Sequence, residues 1–194
     1  MTYSRFTLAF ASVWFLLAAL ATAAGLLQKF PMPFPQLLIF LLTNLLLLLF
    51  WKQPQLHAWA TRETIRTLVL IHVSRLVAGA TFLIFYAQGK LPYAFAVPGG
   101  WGDIVVGLLA LTVCWLSPKR DSRWPFLVWN IAGFADILFV VSTAARLGLA
   151  EPQSMKALTQ FPLALLPTFL VPIIIATHLL IFFRLAVDQK KEAA

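Results

Sequence analysis

The run from Ile65 to Tyr86 is apolar over the length of a bilayer crossing, yet it carries His72, Ser74 and Arg75 near its middle. A permanent cation at mid-depth costs about 3 kcal/mol on an insertion scale, while the eleven Leu, Ile, Val and Phe residues from Leu68 to Phe85 return about 4 to 5 kcal/mol. The segment is only marginally inserted by itself. It therefore needs neighbours that offer Arg75 a counter-charge, and the rest of the chain must supply them.

Five further apolar runs do so. They cover Phe6 to Leu27, Leu37 to Trp51, Trp101 to Leu116, Trp124 to Ala145 and Leu163 to Leu185. With about 20 residues per crossing, 194 residues hold roughly six to seven passes and leave no room for a separate soluble domain. The expected fold is an all-α, polytopic membrane bundle of six helices, a single domain over residues 1–194. Its partner is the lipid bilayer. A hydrophobic fraction of 61%, a charged fraction of 11% and a mean hydropathy of +0.86 agree with that class. The first run reads either as a retained span or as a cleaved signal peptide, since Ala21-Thr22-Ala23 offers small residues after an apolar core. Phe30 to Pro35 alternates prolines and reads as a turn. Leu37 to Trp51 reads as lipid-facing, with Asn44 bonded to a neighbouring helix. Lys52 to Thr64 reads as a short interfacial helix, and Gln88 to Gly100 as an external loop or shallow re-entrant turn. Trp51, Trp101, Trp115 and Trp124 sit at span ends, as interfacial anchors do.

The formal charge of +8 comes from residues scattered between apolar runs, which is the pattern of topology signals and not of a nucleic-acid surface. Six spans put both termini on one side. Arg5, Lys52, Arg62, Arg66, Lys119, Arg120, Arg123, Arg184, Lys190 and Lys191 share that side, against Lys29, Lys90, Arg146 and Lys156 opposite. The imbalance predicts cytoplasmic termini in a cell inner membrane.

A rise of about 1.5 Å per residue places His72 and His178 roughly 10 Å deep and Asn130 about 9 Å, a common layer. Arg75 at roughly 15 Å and Asp136 at about 18 Å form a central one, with Asp136 as the expected counter-charge. Asp103 falls near the outer surface, where it meets the positive end of a helix dipole. His72, Arg75 and Gly79 share one helix face, and Asp103, Gly107 and Ala110 share another.

Pro98-Gly99-Gly100-Trp101-Gly102-Asp103, Trp129-Asn130 with Gly133 and Asp136, and Phe161-Pro162 through Pro172 to His178 resemble a family of uncharacterised bacterial multi-pass membrane proteins. The resemblance covers roughly the C-terminal two thirds of the chain. It implies Pro-Ala-Gly where this chain has Pro98-Gly99-Gly100, and it carries no activity or functional residues with it.

Three function classes follow from the residues. His72, Arg75, Asp103, Asn130, Asp136 and His178 are the candidate binding residues of a small-solute or proton-coupled transporter, because intramembrane ionisable groups mark solute and ion paths. Pro172 supports that reading, since it frees the carbonyl of Thr168 and permits a kink. The alternative is a b-type haem protein with His72 and His178 as axial ligands. The third class is an accessory or scaffold subunit in which polar groups only hold helices together. Paired nucleophile and base spacing is missing, so an enzyme is the least supported class. The one cysteine, Cys114, lies in an apolar run and gives neither a disulfide nor a thiolate metal site.

Overall fold

A computed structural model describes residues 2–116 and 123–192, with side chains to residue 187. The expected loop after Leu116 lies outside the described residues except for Arg123. The described chain is helical: α1 Tyr3–Ala23, α2 Phe34–Lys52, α3 Pro54–Arg62, α4 Ile65–Ile71, α5 Arg75–Ala87, α6 Tyr93–Leu116, α7 Arg123–Ala150 and α8 Val171–Glu192. Among the described residues six helices are long and apolar enough to cross a membrane, one of them α4 and α5 continued through a 3₁₀ turn at His72–Ser74. The large side chains on their outer faces, such as Leu8, Leu41, Val77, Leu108 and Phe183, are exposed. That outside suits lipid better than water.

Local chemistry explains most boundaries. α1 ends at a left-handed Gly25, whose positive φ suits a residue without Cβ. The prolines at 31–35 form the expected turn, and the amide of Phe34 bonds back to the Pro31 carbonyl at 2.9 Å. α2 buries Ile39, Thr43, Leu46 and Phe50, a stripe at i, i+4, i+7 and i+11, and leaves its other leucines exposed or half-buried. Asn44 is exposed and donates to Phe40 of its own helix at 2.8 Å, so it does not tie α2 to a neighbour as expected. Self-capture of this kind satisfies an amide where lipid offers no partner. Between Lys52 and Thr64 a short helix is present as α3, started by the Gln53 side chain accepting from the Leu56 amide at 2.8 Å.

Two segments differ from the sequence reading. Gln88 to Gly100 is mostly helix: α6 begins at Tyr93 and runs straight through Pro98, Gly99 and Gly100. Away from water a broken backbone would strand many polar groups, whereas keeping the helix sacrifices only the bond that Pro98 cannot donate. The glycines serve close packing here. A Cβ on Gly100 would meet the Gly79 carbonyl at 3.0 Å, and one on Gly79 would run into the Gly100 carbonyl, so α5 and α6 cross backbone against backbone. Trp101 consequently lies nine residues into a helix and not at its end. The second difference is that α7 runs five residues past the expected Ala145 before the linker tightens into a 3₁₀ helix at Pro152–Thr159.

Both ends of the chain reach the same end of the bundle. Ser4 donates to the Glu63 carboxylate at 3.2 Å, and Arg184 donates to the Glu63 carbonyl. Three apolar clusters fill the interior among the described residues. One joins α2, α3 and α8 through Leu46, Phe50, Leu56 and Ala176; of the other two, one gathers Phe82, Phe95, Ile137, Met155 and Leu163, the other Leu68, Val106, Trp129 and Ile181. Between them, at residues 72–75, 103, 130–136 and 177–178, lies a polar layer.

Candidate functional site

Arg75 is fully buried, and all three guanidinium nitrogens are engaged. Nε donates to Asp103 Oδ1 at 2.6 Å, Nη1 to the Gly133 carbonyl at 2.9 Å, and Nη2 to Asp136 Oδ2. The contact expected with Asp136 is present. Asp103, expected alone near the outer surface, sits instead in the middle of the bundle, 3% exposed and paired with Arg75. The cause is the early start of α6, which carries Asp103 eleven residues into a helix and away from any dipole end. Depth counting from a start at Trp101 misplaced it.

The 3₁₀ turn at His72–Ser74 helps to aim these groups. In a 3₁₀ helix residues i and i+3 eclipse, which brings His72 and Arg75 onto one line facing the bundle interior. Ser74 caps the distortion by donating to the Ile71 carbonyl at 2.7 Å. A regular helical period could not reveal this turn.

His72, Asn130 and His178 form the expected common layer. The two imidazole rings touch, with centroids 4.1 Å apart and planes at 51°, and neither residue is exposed. Asn130 Nδ2 donates to the His178 carbonyl at 3.1 Å, which fixes the amide and leaves Oδ1 to accept from His178 Nδ1 at 2.7 Å. Thr177 donates its hydroxyl to the Ile173 carbonyl at 2.7 Å and lies 3.1 Å from His72 Nε2. The same hydroxyl also reaches the Ile174 carbonyl at 3.0 Å, and its contact with His72 Nε2 serves either tautomer of the imidazole. Among the described residues His72 Nδ1 and His178 Nε2 have no hydrogen-bond partner.

Trp129, Phe134 and Thr177 were not among the sequence candidates. Trp129 meets His72 edge-on with ring centroids at 4.9 Å and lies 5.5 Å from the His178 ring. Its indole donates to the Val106 carbonyl at 3.1 Å. Phe134 packs edge-on against both His178 and Phe182. Their adjacency to Asn130, Gly133 and His178 in the sequence was the available signal. Phe182 also lines a cavity of about 250 Å³ between α7 and α8, together with Arg123, Trp124, Leu127, Leu185 and Ala186. One helical turn separates that cavity from His178.

Axial haem ligation does not fit this arrangement. Two imidazoles serving one iron stand apart on opposite faces of a macrocycle, whereas these rings are in contact and sealed in by Trp129 and Phe134. Among the described residues no three His, Cys, Asp or Glu side chains are grouped so as to hold a metal ion. The freed Thr168 carbonyl is present as expected and accepts from the Trp14 indole at 3.1 Å, beside a π-helical turn at Leu166–Leu170.

A family model described as "Domain of unknown function (DUF8737)" matches residues 32–186. No match is found among curated proteins or among solved structures. The matched span starts just before α2 and takes in every polar residue of the central layer. On that extent, four fifths of its length, the chain belongs to the DUF8737 family.

Proposed function

We propose that the chain is a small-solute or proton-coupled membrane transporter whose buried charged cluster lets a proton or another monovalent cation pass. In this reading it is inserted in the inner membrane as a six-span bundle with both termini in the cytoplasm. One observation carries it: a single buried guanidinium holds two carboxylates from two helices, so the ionised cluster has one negative charge in excess. In a medium of low dielectric an uncompensated charge is costly, and a proton or another monovalent cation balances it. Asp136 is the carboxylate placed to exchange that cation, since its side chain is 18% exposed while that of Asp103 is 4% exposed.

The aromatic pair Phe134 and Phe182 lies between the cavity at the α7–α8 end and the histidine layer, so it is the natural barrier on the solute path. The π-helical turn at Leu166–Leu170 gives α8 a place to bend, as such turns do. Vesicles reconstituted with the protein and loaded with a pH-sensitive dye test the reading. Under an inward-negative potassium diffusion potential they should acidify faster than protein-free vesicles, and equal rates would retire it.

The scaffold reading keeps one specific support, because every nitrogen of Arg75 is already satisfied by its neighbours. It predicts equal rates in that assay.

A further inference from the structure

The cavity between α7 and α8 lies at the end of the bundle where Ser4 and Arg184 meet Glu63, and its lining is ordered by depth. Asn130 and His178 are hydrogen-bonded and so share a level. Arg123 on α7 and Leu185 on α8 are each seven residues from that level, which puts both about 10 Å towards the end of the bundle, with Trp124 and Ala186 beside them. Leu127 and Phe182 are three and four residues from it, one turn deeper than the rim. A guanidinium and an indole thus stand at the rim, and apolar surface lies below. A phospholipid entering from the bilayer has the same order, with charge outside and chain inside.

The volume and the border fit a molecule that enters only in part. The cavity holds about 250 Å³. Pockets for whole ligands run from about 300 to 1,000 Å³, while about 150 Å³ already accommodates benzene. Trp124 at the rim is exposed, as are Val128 and Phe183 next to Leu127 and Phe182, so the opening faces the side of the bundle that suits lipid.

Charge selects among lipids. Arg123 is the one charged side chain among the described lining residues. At this end Arg5, Lys52, Arg62, Arg66 and Arg184 add further cations, against Glu63 as the one carboxylate among the described side chains. A zwitterionic headgroup brings its own ammonium into that field, and an anionic one does not. A guanidinium takes phosphate through two parallel hydrogen bonds, and its five donors leave enough to serve protein neighbours as well.

We propose that this cavity binds an anionic phospholipid such as phosphatidylglycerol, with the phosphate at Arg123, the glycerol at the Trp124 rim and the start of one acyl chain on Leu127, Phe182 and Leu185. The rest of the lipid stays in the bilayer. The inference does not depend on the transport reading. A chain lying on Phe182 covers the outer side of the Phe134–Phe182 barrier, so lipid and solute exchange for that space.

Native mass spectrometry of the protein released from detergent tests the site, with phosphatidylglycerol titrated against phosphatidylcholine of the same chains. Wild-type protein should retain one phosphatidylglycerol at concentrations where phosphatidylcholine leaves it bare. Arg123→Gln should weaken that retention about tenfold or more, the worth of a hydrogen bond to a charged group. Arg62→Gln removes an exposed cation from the same end and should leave retention unchanged. Ala186→Trp, at an exposed position, should release the lipid by filling the cavity with Arg123 in place, and it decides the matter if Arg123→Gln fails to fold. Equal retention of the two lipids, equal losses in Arg62→Gln and Arg123→Gln, or full retention in Ala186→Trp would overturn the proposal. Displacement of the lipid by millimolar inorganic phosphate would overturn it too, since the site would then be one for a soluble anion.

Discussion

Asp103 and Asp136 share one guanidinium but not one environment, and that difference sets what each substitution does. Asp103 binds Nε at 2.6 Å and is almost fully enclosed, whereas Asp136 keeps part of its carboxylate at the surface. Removing one partner from a buried pair costs roughly 3–5 kcal/mol when nothing replaces it, and the remaining carboxylate lowers that cost here. Asp103→Asn should therefore depress the melting temperature in detergent more than Asp136→Asn does, the reverse of the order that depth counting suggests. The sequence revealed His72, Asn130, His178 and the Arg75–Asp136 contact because polar residues in apolar runs stand out. It concealed Trp129, Phe134 and Thr177, since aromatic and hydroxyl side chains are unremarkable in such runs and only their neighbours give them meaning.

Helix identity was legible from the length of the apolar runs, and helix extent was not. Pro98, Gly99 and Gly100 are breakers in water, but α6 runs through them, and its crossing with α5 uses the missing side chain of Gly100. Gly79→Ala should accordingly cost about 1–3 kcal/mol, as its Cβ would strike backbone and not a movable side chain. Val105→Ala, on the exposed face of the same helix pair, serves as the control. Chemical denaturation of the two variants in detergent gives the comparison. At α8 the carbonyl released by Pro172 finds the Trp14 indole. Trp14→Phe should leave that carbonyl without its indole donor and cost about 1–3 kcal/mol by the same measurement.

At the scale of the molecule, the even number of long helices and the meeting of Ser4 and Arg184 at Glu63 put both ends of the chain together. On a background with Cys114 replaced by serine, cysteines at Ser4 and Thr61 should react with an impermeant maleimide from one side of the membrane and a cysteine at Lys90 from the other. Labelling of Lys90→Cys from the same side as Ser4→Cys would contradict the six-span arrangement. The interior joins these scales: two apolar clusters enclose a layer in which one cation, two carboxylates and two imidazoles lie within contact of one another or of shared backbone. Its excess negative charge is the centre of the account. The measurement that bears on it most directly is potential-driven proton uptake per folded molecule in wild-type and Asp136→Asn vesicles. The account predicts uptake in the wild type and a fall to the protein-free rate in the variant; an Asp136→Asn protein that folds and takes up protons at the wild-type rate would contradict it.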